Sequence, residues 1–190
     1  MMRLLTGSGW ISPLVAIRLA VVAACLALAS GSLAQTADIS QFVGSYEGEA
    51  QVEVNGQIQE RDLSVDISET RSGFQVNWTT ITYRSDGRVK EAKYSINFVP
   101  SDRDNVFAAA MKKNVFGHEV QLDPMKGEPY VWARIIGDTM TVFSLFVTDQ
   151  GDYEIQEFNR TIAEQGLELD FVSTTNGQVK RQISTLLERQ

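Results

Sequence analysis

The chain has 190 residues, and its 24 acidic residues outnumber its 17 basic ones, which gives a formal net charge of −7 at pH 7. Such a balance argues against nucleic acid as a partner, because phosphate binding depends on clustered lysine and arginine. Cys25 is the single cysteine, so an internal disulfide framework is excluded and a hydrophobic core must hold the fold together.

The first 34 residues are typical of a bacterial export signal. Two arginines precede an apolar run at residues 19–29, and small residues up to Ala34 form a cleavage site. The run has 11 residues, whereas a membrane-spanning helix needs about 20. We predict cleavage after Ala34 and release into the periplasm or the medium. A lipid anchor on Cys25, which ends the lipobox-like sequence VAAC, is the alternative.

Residues 35–190 are predicted to form a single domain. Removing residues 1–34 takes away two arginines and no acidic residue, which leaves 15 basic and 24 acidic residues and a net charge of −9. The remaining 156 residues are enough to bury a sizeable core.

Residues 42–54 alternate between an apolar and a charged parity. One parity carries apolar residues such as Tyr46, and the other carries glutamates such as Glu47. A two-residue period predicts a strand with one buried and one wet face. The following Asn55-Gly56 favours a tight hairpin turn into the next strand.

Eight further alternations follow, and turn signals recur about every ten residues, which indicates an antiparallel meander. The predicted strands are 42–54, 57–69, 74–83, 88–98, 129–136, 139–148, 152–163, 167–174 and 178–187.

Residues 101–128 interrupt this pattern. Ser101 as a cap, three alanines and Gly117 just past the end predict a short helix. A strand over residues 105–112, entered through a turn, fits the same residues equally well. The sequence does not separate these two alternatives.

A meander of this length removes its two exposed edges by closing on itself. We therefore predict an all-β fold, an antiparallel up-and-down barrel of about 8–10 strands with one irregular or short helical segment near 101–128. With its export signal, its length and the early Gly44-Ser45-Tyr46, the sequence resembles the calycin group, meaning lipocalins and related barrels. Lipocalins usually have Gly-x-Trp at this point, and Tyr46 takes the place of the Trp. The resemblance implies a small hydrophobic or amphipathic ligand inside the barrel.

Aromatic side chains and one charged pair are the candidate ligand contacts. Arg134 shares its parity with Trp132 and points inward if that ring does. A buried arginine needs an anion, either a carboxylate such as Glu157 or the head group of a ligand. In the alternative, Arg134 points outward, the opposite parity fills the core, and the aromatics serve as core. The predicted ligand-binding residues are Tyr46, Trp78, Tyr94, Trp132, Arg134, Tyr153 and Glu157.

The sequence shows no catalytic or metal-binding set. His118, the only histidine, lies in a predicted loop and lacks the second histidine, four residues on, of a helical zinc site. Most carboxylates fall on the wet parity or in turns. We expect a protein without enzymatic activity, metal or cofactor.

The same strand pattern also allows a homodimer surface and a different function. Val142–Val147, VFSLFV, is apolar on both parities, which predicts a strand covered on both faces or a homodimer surface. The alternative function is a barrel with a packed core that recognises an envelope protein or inhibits an envelope hydrolase.

An outer-membrane barrel would turn the apolar parity toward lipid along the full strand. In residues 57–69 the apolar set of Leu63, Val65 and Ile67 is short, because Gln59 and Arg61 continue the same parity. A barrel with an apolar interior is therefore favoured.

Overall fold

The computed structural model describes residues 38–54, 56–110, 112–113, 119–120 and 122–190. The predicted export signal at residues 1–34, Asn55 of the first hairpin turn and His118 lie outside the described residues.

Within these ranges the chain forms twelve strands and two 3-10 helices. The strands are β1 Gly44–Val54, β2 Gln57–Thr70, β3 Gly73–Tyr83, β4 Val89–Pro100, β5 Val106–Ala109, β6 Lys112–Lys113, β7 Glu119–Val120, β8 Tyr130–Ile136, β9 Thr139–Val147, β10 Tyr153–Ala163, β11 Gly166–Thr175 and β12 Gln178–Arg189. The 3-10 helices are Ser40–Phe42 and Pro124–Lys126. No helix in this part of the chain has the length and apolar character needed to cross a bilayer.

Ten strands close into an antiparallel barrel in the order β1-β12-β11-β10-β9-β8-β5-β4-β3-β2, and β6 and β7 form a separate pair. Neighbours in the barrel are consecutive along the chain except where β5 pairs with β8 and β1 with β12. The predicted all-β up-and-down barrel is confirmed. The nine predicted strands coincide with β1–β4 and β8–β12 to within two residues at each end.

The tenth barrel strand, β5, lies in the segment for which the sequence predicted either a short helix or a strand. Val99 of β4 lies opposite Ala108, and Ala133 of β8 lies opposite Phe107. The Ser101 hydroxyl donates to the Val106 carbonyl oxygen at 2.8 Å, so this serine closes a turn between β4 and β5 and does not cap a helix. The three alanines thus fall in and just after a strand.

One end of the barrel is filled by apolar side chains. Phe42 of the first 3-10 helix is fully buried there, and the Gln41 amide donates to the Gly137 carbonyl oxygen at 3.1 Å, which ties this helix to the β8–β9 turn. Phe74 stacks on Phe98 at 5.0 Å between ring centroids. The buried core comprises Phe42, Tyr46, Val65, Ile67, Phe74, Val76, Phe98, Val131, Ala133, Ile135, Met140, Val142, Leu167, Leu169 and Leu187.

The barrel closes between β1 and β12 at this packed end. Only Tyr46 opposite Arg189 and Glu47 opposite Glu188 are paired in register among the described residues. The Arg189 guanidinium reinforces the seam, because Nη1 donates to the Val43 carbonyl oxygen at 2.9 Å and Nη2 to the Tyr46 hydroxyl at 2.6 Å. Tyr46, a predicted ligand contact, is therefore a fully buried core residue, and it links the first barrel strand to the last.

Gly48 provides a test of this seam. A Cβ at this position would meet the Leu186 carbonyl oxygen and the Leu187 side chain. We expect Gly48→Val to lower the free energy of unfolding by about 1–3 kcal/mol, measured by urea denaturation, because the added atoms force β1 and β12 apart. The control is Glu49→Val on the exposed face of the same strand, with an expected change within about 0.5 kcal/mol. Equal effects of the two substitutions would argue against a tight seam.

Candidate functional site: the barrel interior

A cavity of about 630 Å³ occupies the half of the barrel opposite the packed end. Its size lies within the range of about 300–1,000 Å³ that is usual for ligand pockets. The inward side chains of β2 show where the packed core gives way to the cavity, because Ile67 belongs to the core alone whereas Arg61 and Gln59 line the cavity. The turns β1–β2 and β3–β4 border the cavity opening. The interior is therefore not packed along its whole length.

Aromatic rings surround the deeper part of the cavity. Trp78 and Tyr94 lie opposite each other on β3 and β4 and stack at 5.1 Å between centroids. Phe158 of β10 lies 5.7 Å from Trp78 and 4.7 Å from Phe171. Tyr94 is 53% exposed although it has the inward parity, so its ring is accessible from the cavity. Two predicted contacts, Trp78 and Tyr94, thus share one site.

Arg160 of β10 lies at the floor of the cavity, beside the packed core. It is opposite Met140 and Leu169, and only 2% of it is exposed. Its guanidinium carbon lies 5.6 Å from the ring centroid of Phe158 and 6.0 Å from that of Trp78. Nε and Nη1 have no hydrogen-bond partner among the described residues. Burial lowers the pKa of Arg160 from its ordinary value to about 10.

Further basic residues line the same cavity closer to its opening: Arg61, Arg84, Lys90 and Arg181. Arg61 has a buried Nε without a partner in the described part of the chain, and burial, followed by the charge of Arg181, lowers its pKa. Asp86 is the one acidic residue among the described lining residues, and Arg88 donates to it at 2.7 Å and lowers its pKa to about 2. The cavity of this acidic chain is therefore electropositive.

Glu154 has the same parity as Arg160 but is not a partner for it. Its carboxylate accepts hydrogen bonds from the Ser173 hydroxyl and the Gln156 amide, each at 2.8 Å. It is also absent from the residues that line the cavity. The nearest inward carboxylate on β10 is thus already engaged.

Four predicted ligand contacts lie on the outer face and require a correction: Trp132, Arg134, Tyr153 and Glu157. Val131, Ala133 and Ile135 are buried and Arg134 is exposed, so the outward alternative for Arg134 is observed. The reason is steric, because Phe107 and its aromatic neighbours already fill the interior beside Ala133. Outside, Trp132 stacks on Phe143 at 4.8 Å.

Arg160 and Arg61 line the cavity but are not among the ligand contacts predicted from the sequence. Both positions carried a signal, since Arg160 has the parity of Phe158 and Ile162, and Arg61 has the parity of Leu63. The neighbouring parity of β10, with Tyr153 and Ile155, is equally apolar. Only the pairing of β10 with β9 shows which parity faces inward.

A second concavity of about 660 Å³ runs along the outer faces of β1, β2, β3 and β12. It is lined by carboxylates, including Glu47, Glu49 and Asp62, and Asp62 accepts a hydrogen bond from Tyr83 at 2.6 Å. No group of three or more His, Cys, Asp or Glu within the described ranges is arranged to hold a metal. The interior cavity, with its buried unpartnered donors, is the stronger candidate site.

The fold and the site define a class of protein, a closed antiparallel ten-stranded β-barrel with an interior cavity, which is compatible with a calycin-like barrel. The sequence itself matches no known protein-family profile and no curated protein.

Arg160 gives a prediction about stability. Its pKa is lower in the folded than in the unfolded state, so this buried charge disfavours folding at neutral pH, and the penalty begins to fall only when the pH rises above about 10. We expect Arg160→Met to raise the free energy of unfolding by about 1–3 kcal/mol in chemical denaturation, because an uncompensated buried charge is removed.

The matched control is Arg134→Met, which removes an exposed arginine that also lies over an aromatic ring, 5.8 Å from the centroid of Phe143. We expect a change within about 1 kcal/mol there. A loss of stability in Arg160→Met would contradict the assignment of Arg160 as an unpaired buried charge.

Proposed function

We propose that this protein is a lipocalin-like carrier that binds one small amphipathic molecule in the barrel interior. The observation that carries the proposal is the half-filled barrel, in which a cavity of about 630 Å³ sits above the packed core. The rings of Trp78, Tyr94, Phe158 and Phe171 offer apolar contact, and the opening is polar. An amphipathic ligand matches both regions.

The proposed location is the bacterial periplasm or the medium, with a lipid anchor on Cys25 as the alternative. The export signal predicted at residues 1–34 supports this location. The acidic outer parity of β1, with Glu47, Glu49 and Glu53 exposed, suits contact with water.

We propose binding without catalysis. Among the described residues, the charged side chains that line the cavity are four arginines, one lysine and the ion-paired Asp86. Arginine is protonated at neutral pH and has no acceptor, so it does not serve as a base or nucleophile. This set suits the recognition of a ligand better than its conversion.

The neutral fluorophore N-phenyl-1-naphthylamine tests whether the cavity binds apolar molecules. We expect saturable binding with enhanced fluorescence to residues 35–190. Ala92→Phe should weaken this binding by roughly tenfold or more, because Ala92 lines the cavity and the added ring fills it. Lys93→Phe, one residue along on the exposed face of β4, is the matched control and should leave the affinity unchanged.

Absence of binding, or equal binding by the two variants, would overturn the proposal. Native mass spectrometry of the protein purified from an exporting cell, before and after denaturation, then measures the mass of any retained natural ligand.

A homodimer is the second candidate, and the outer aromatic surface favours it. Tyr130, Trp132 and Phe143 form contiguous ring contacts on the outer face of β8 and β9, and Leu145 continues the row. Val142, Ser144 and Phe146 of the same strand face inward, so only one parity of VFSLFV is available to a partner.

We expect, if this surface pairs, that light scattering shows a dimer and that Phe143→Glu shifts it to the monomer, because a charge is placed in an apolar interface. Glu168→Lys, on the outer face of β11, is the control and should keep the dimer. A monomeric wild-type protein at its highest soluble concentration would exclude this candidate.

A further inference from the structure

We infer that the ligand of the cavity is an organic anion with a flat apolar body, whose acidic group enters first and pairs with Arg160 at the floor. This inference rests on the proposed function and names its ligand class. The basic residues closer to the opening attract the anion and guide its entry.

The inference starts from the buried charge of Arg160. A guanidinium has five N–H donors and no acceptor, and it is held here at 2% exposure with Nε and Nη1 unpartnered among the described residues. Burial of a charge without a counter-ion is strongly unfavourable. Because Arg160 lines the cavity, the oxyanion of a bound ligand is the counter-ion available to its guanidinium.

The described part of the chain offers Arg160 no free carboxylate as a partner. Glu154 is occupied by Ser173 and Gln156, and Asp86 at the opening is paired with Arg88. A neutral ligand would leave the charge of Arg160 uncompensated, and a cation would be repelled. The cavity therefore selects for negative charge.

The distribution of charged, polar and aromatic groups in the cavity determines how the ligand is oriented. The floor combines Arg160 with the rings of Trp78 and Phe158, whereas the opening carries Gln57, Gln59, Thr82, Arg84 and Lys90. A ligand with its apolar end at the floor would leave Arg160 unpaired and bring apolar surface against polar groups. Entry of the acidic group first satisfies Arg160 and places the apolar body beside the stacked Trp78 and Tyr94.

The basic residues between the opening and the floor also affect how the anion enters the cavity. Arg61 and Arg181 both line the cavity, where burial lowers the pKa of Arg61 and the like charge of Arg181 lowers it further, so a passing anion relieves their repulsion. The exterior is acidic and repels anions, whereas the opening attracts them. A localised field of this kind raises association rates and is weakened by salt.

The test compares two probes that differ by one negatively charged sulfonate group. The anion 8-anilinonaphthalene-1-sulfonate is N-phenyl-1-naphthylamine with an added sulfonate. We expect the wild-type protein to bind the anion roughly tenfold or more tightly than the neutral probe, since a hydrogen bond to a charged group contributes on that scale. This comparison requires no variant.

Arg160→Met should reduce the affinity for the anion by roughly tenfold or more, and so remove the preference for the anion over the neutral probe. Arg160→Lys keeps the charge and should restore part of the anion affinity. The matched control Arg134→Met removes an outer arginine over an aromatic ring and should change neither affinity. Circular dichroism verifies that each variant is folded.

The double variant Arg61→Gln, Arg181→Gln tests the entry step in stopped-flow experiments. Association of the anion should slow by roughly tenfold at low salt and depend less steeply on salt, with the dissociation rate little changed.

The outcomes separate the two proposals. Equal affinities for both probes, or an anion affinity that does not respond to Arg160→Met, would overturn the anion inference and leave the proposed carrier function in place. Failure of both probes to bind would overturn the carrier function as well.

Discussion

The contact between Tyr46 and Arg189 is the constraint on which the barrel depends. A meander of antiparallel strands has two free edges, and here they meet through few backbone pairs at the start of β1 and the end of β12. The guanidinium of Arg189 compensates by bonding the Tyr46 hydroxyl and the Val43 carbonyl oxygen. Because the Tyr46 hydroxyl also donates to the Phe42 carbonyl oxygen at 2.9 Å, the same contact holds the 3-10 helix at the packed end.

Because the barrel closes and packs at one end, the other end can enclose a cavity. The aromatic and aliphatic residues of the packed end form the larger buried core, and burial of apolar surface is the main source of stability in a chain without a disulfide. The hollow half then accommodates side chains that a packed core would exclude, and Arg160 is the clearest of these. Its position between core and cavity combines a low dielectric with access from the opening, and both conditions strengthen the attraction of an anion.

The separation of charge between outside and inside follows from strand parity. In β1 and β2 the outward parity carries carboxylates, including Glu47, Glu49 and Asp62, while the inward parity of β2 carries Arg61. A net negative surface keeps the exterior solvated and leaves the opening as the electropositive region. Selection of ligands by charge therefore requires no additional element of the fold.

The sequence by itself determined the all-β class and nine of the ten barrel strands, because a two-residue period and hairpin turn signals are local properties. It also assigned Trp78 and Tyr94 to the inward parity, which is unambiguous in β3 and β4. It did not determine β5, whose pairing with β8 joins residues separated by a long irregular segment. Nor did it determine which parity of β8 and β10 faces inward, since both parities are apolar there. Only the tertiary structure, which pairs Ala133 with Phe107 and Arg160 with Met140 on the inner face, turned Arg134 outward and Arg160 inward.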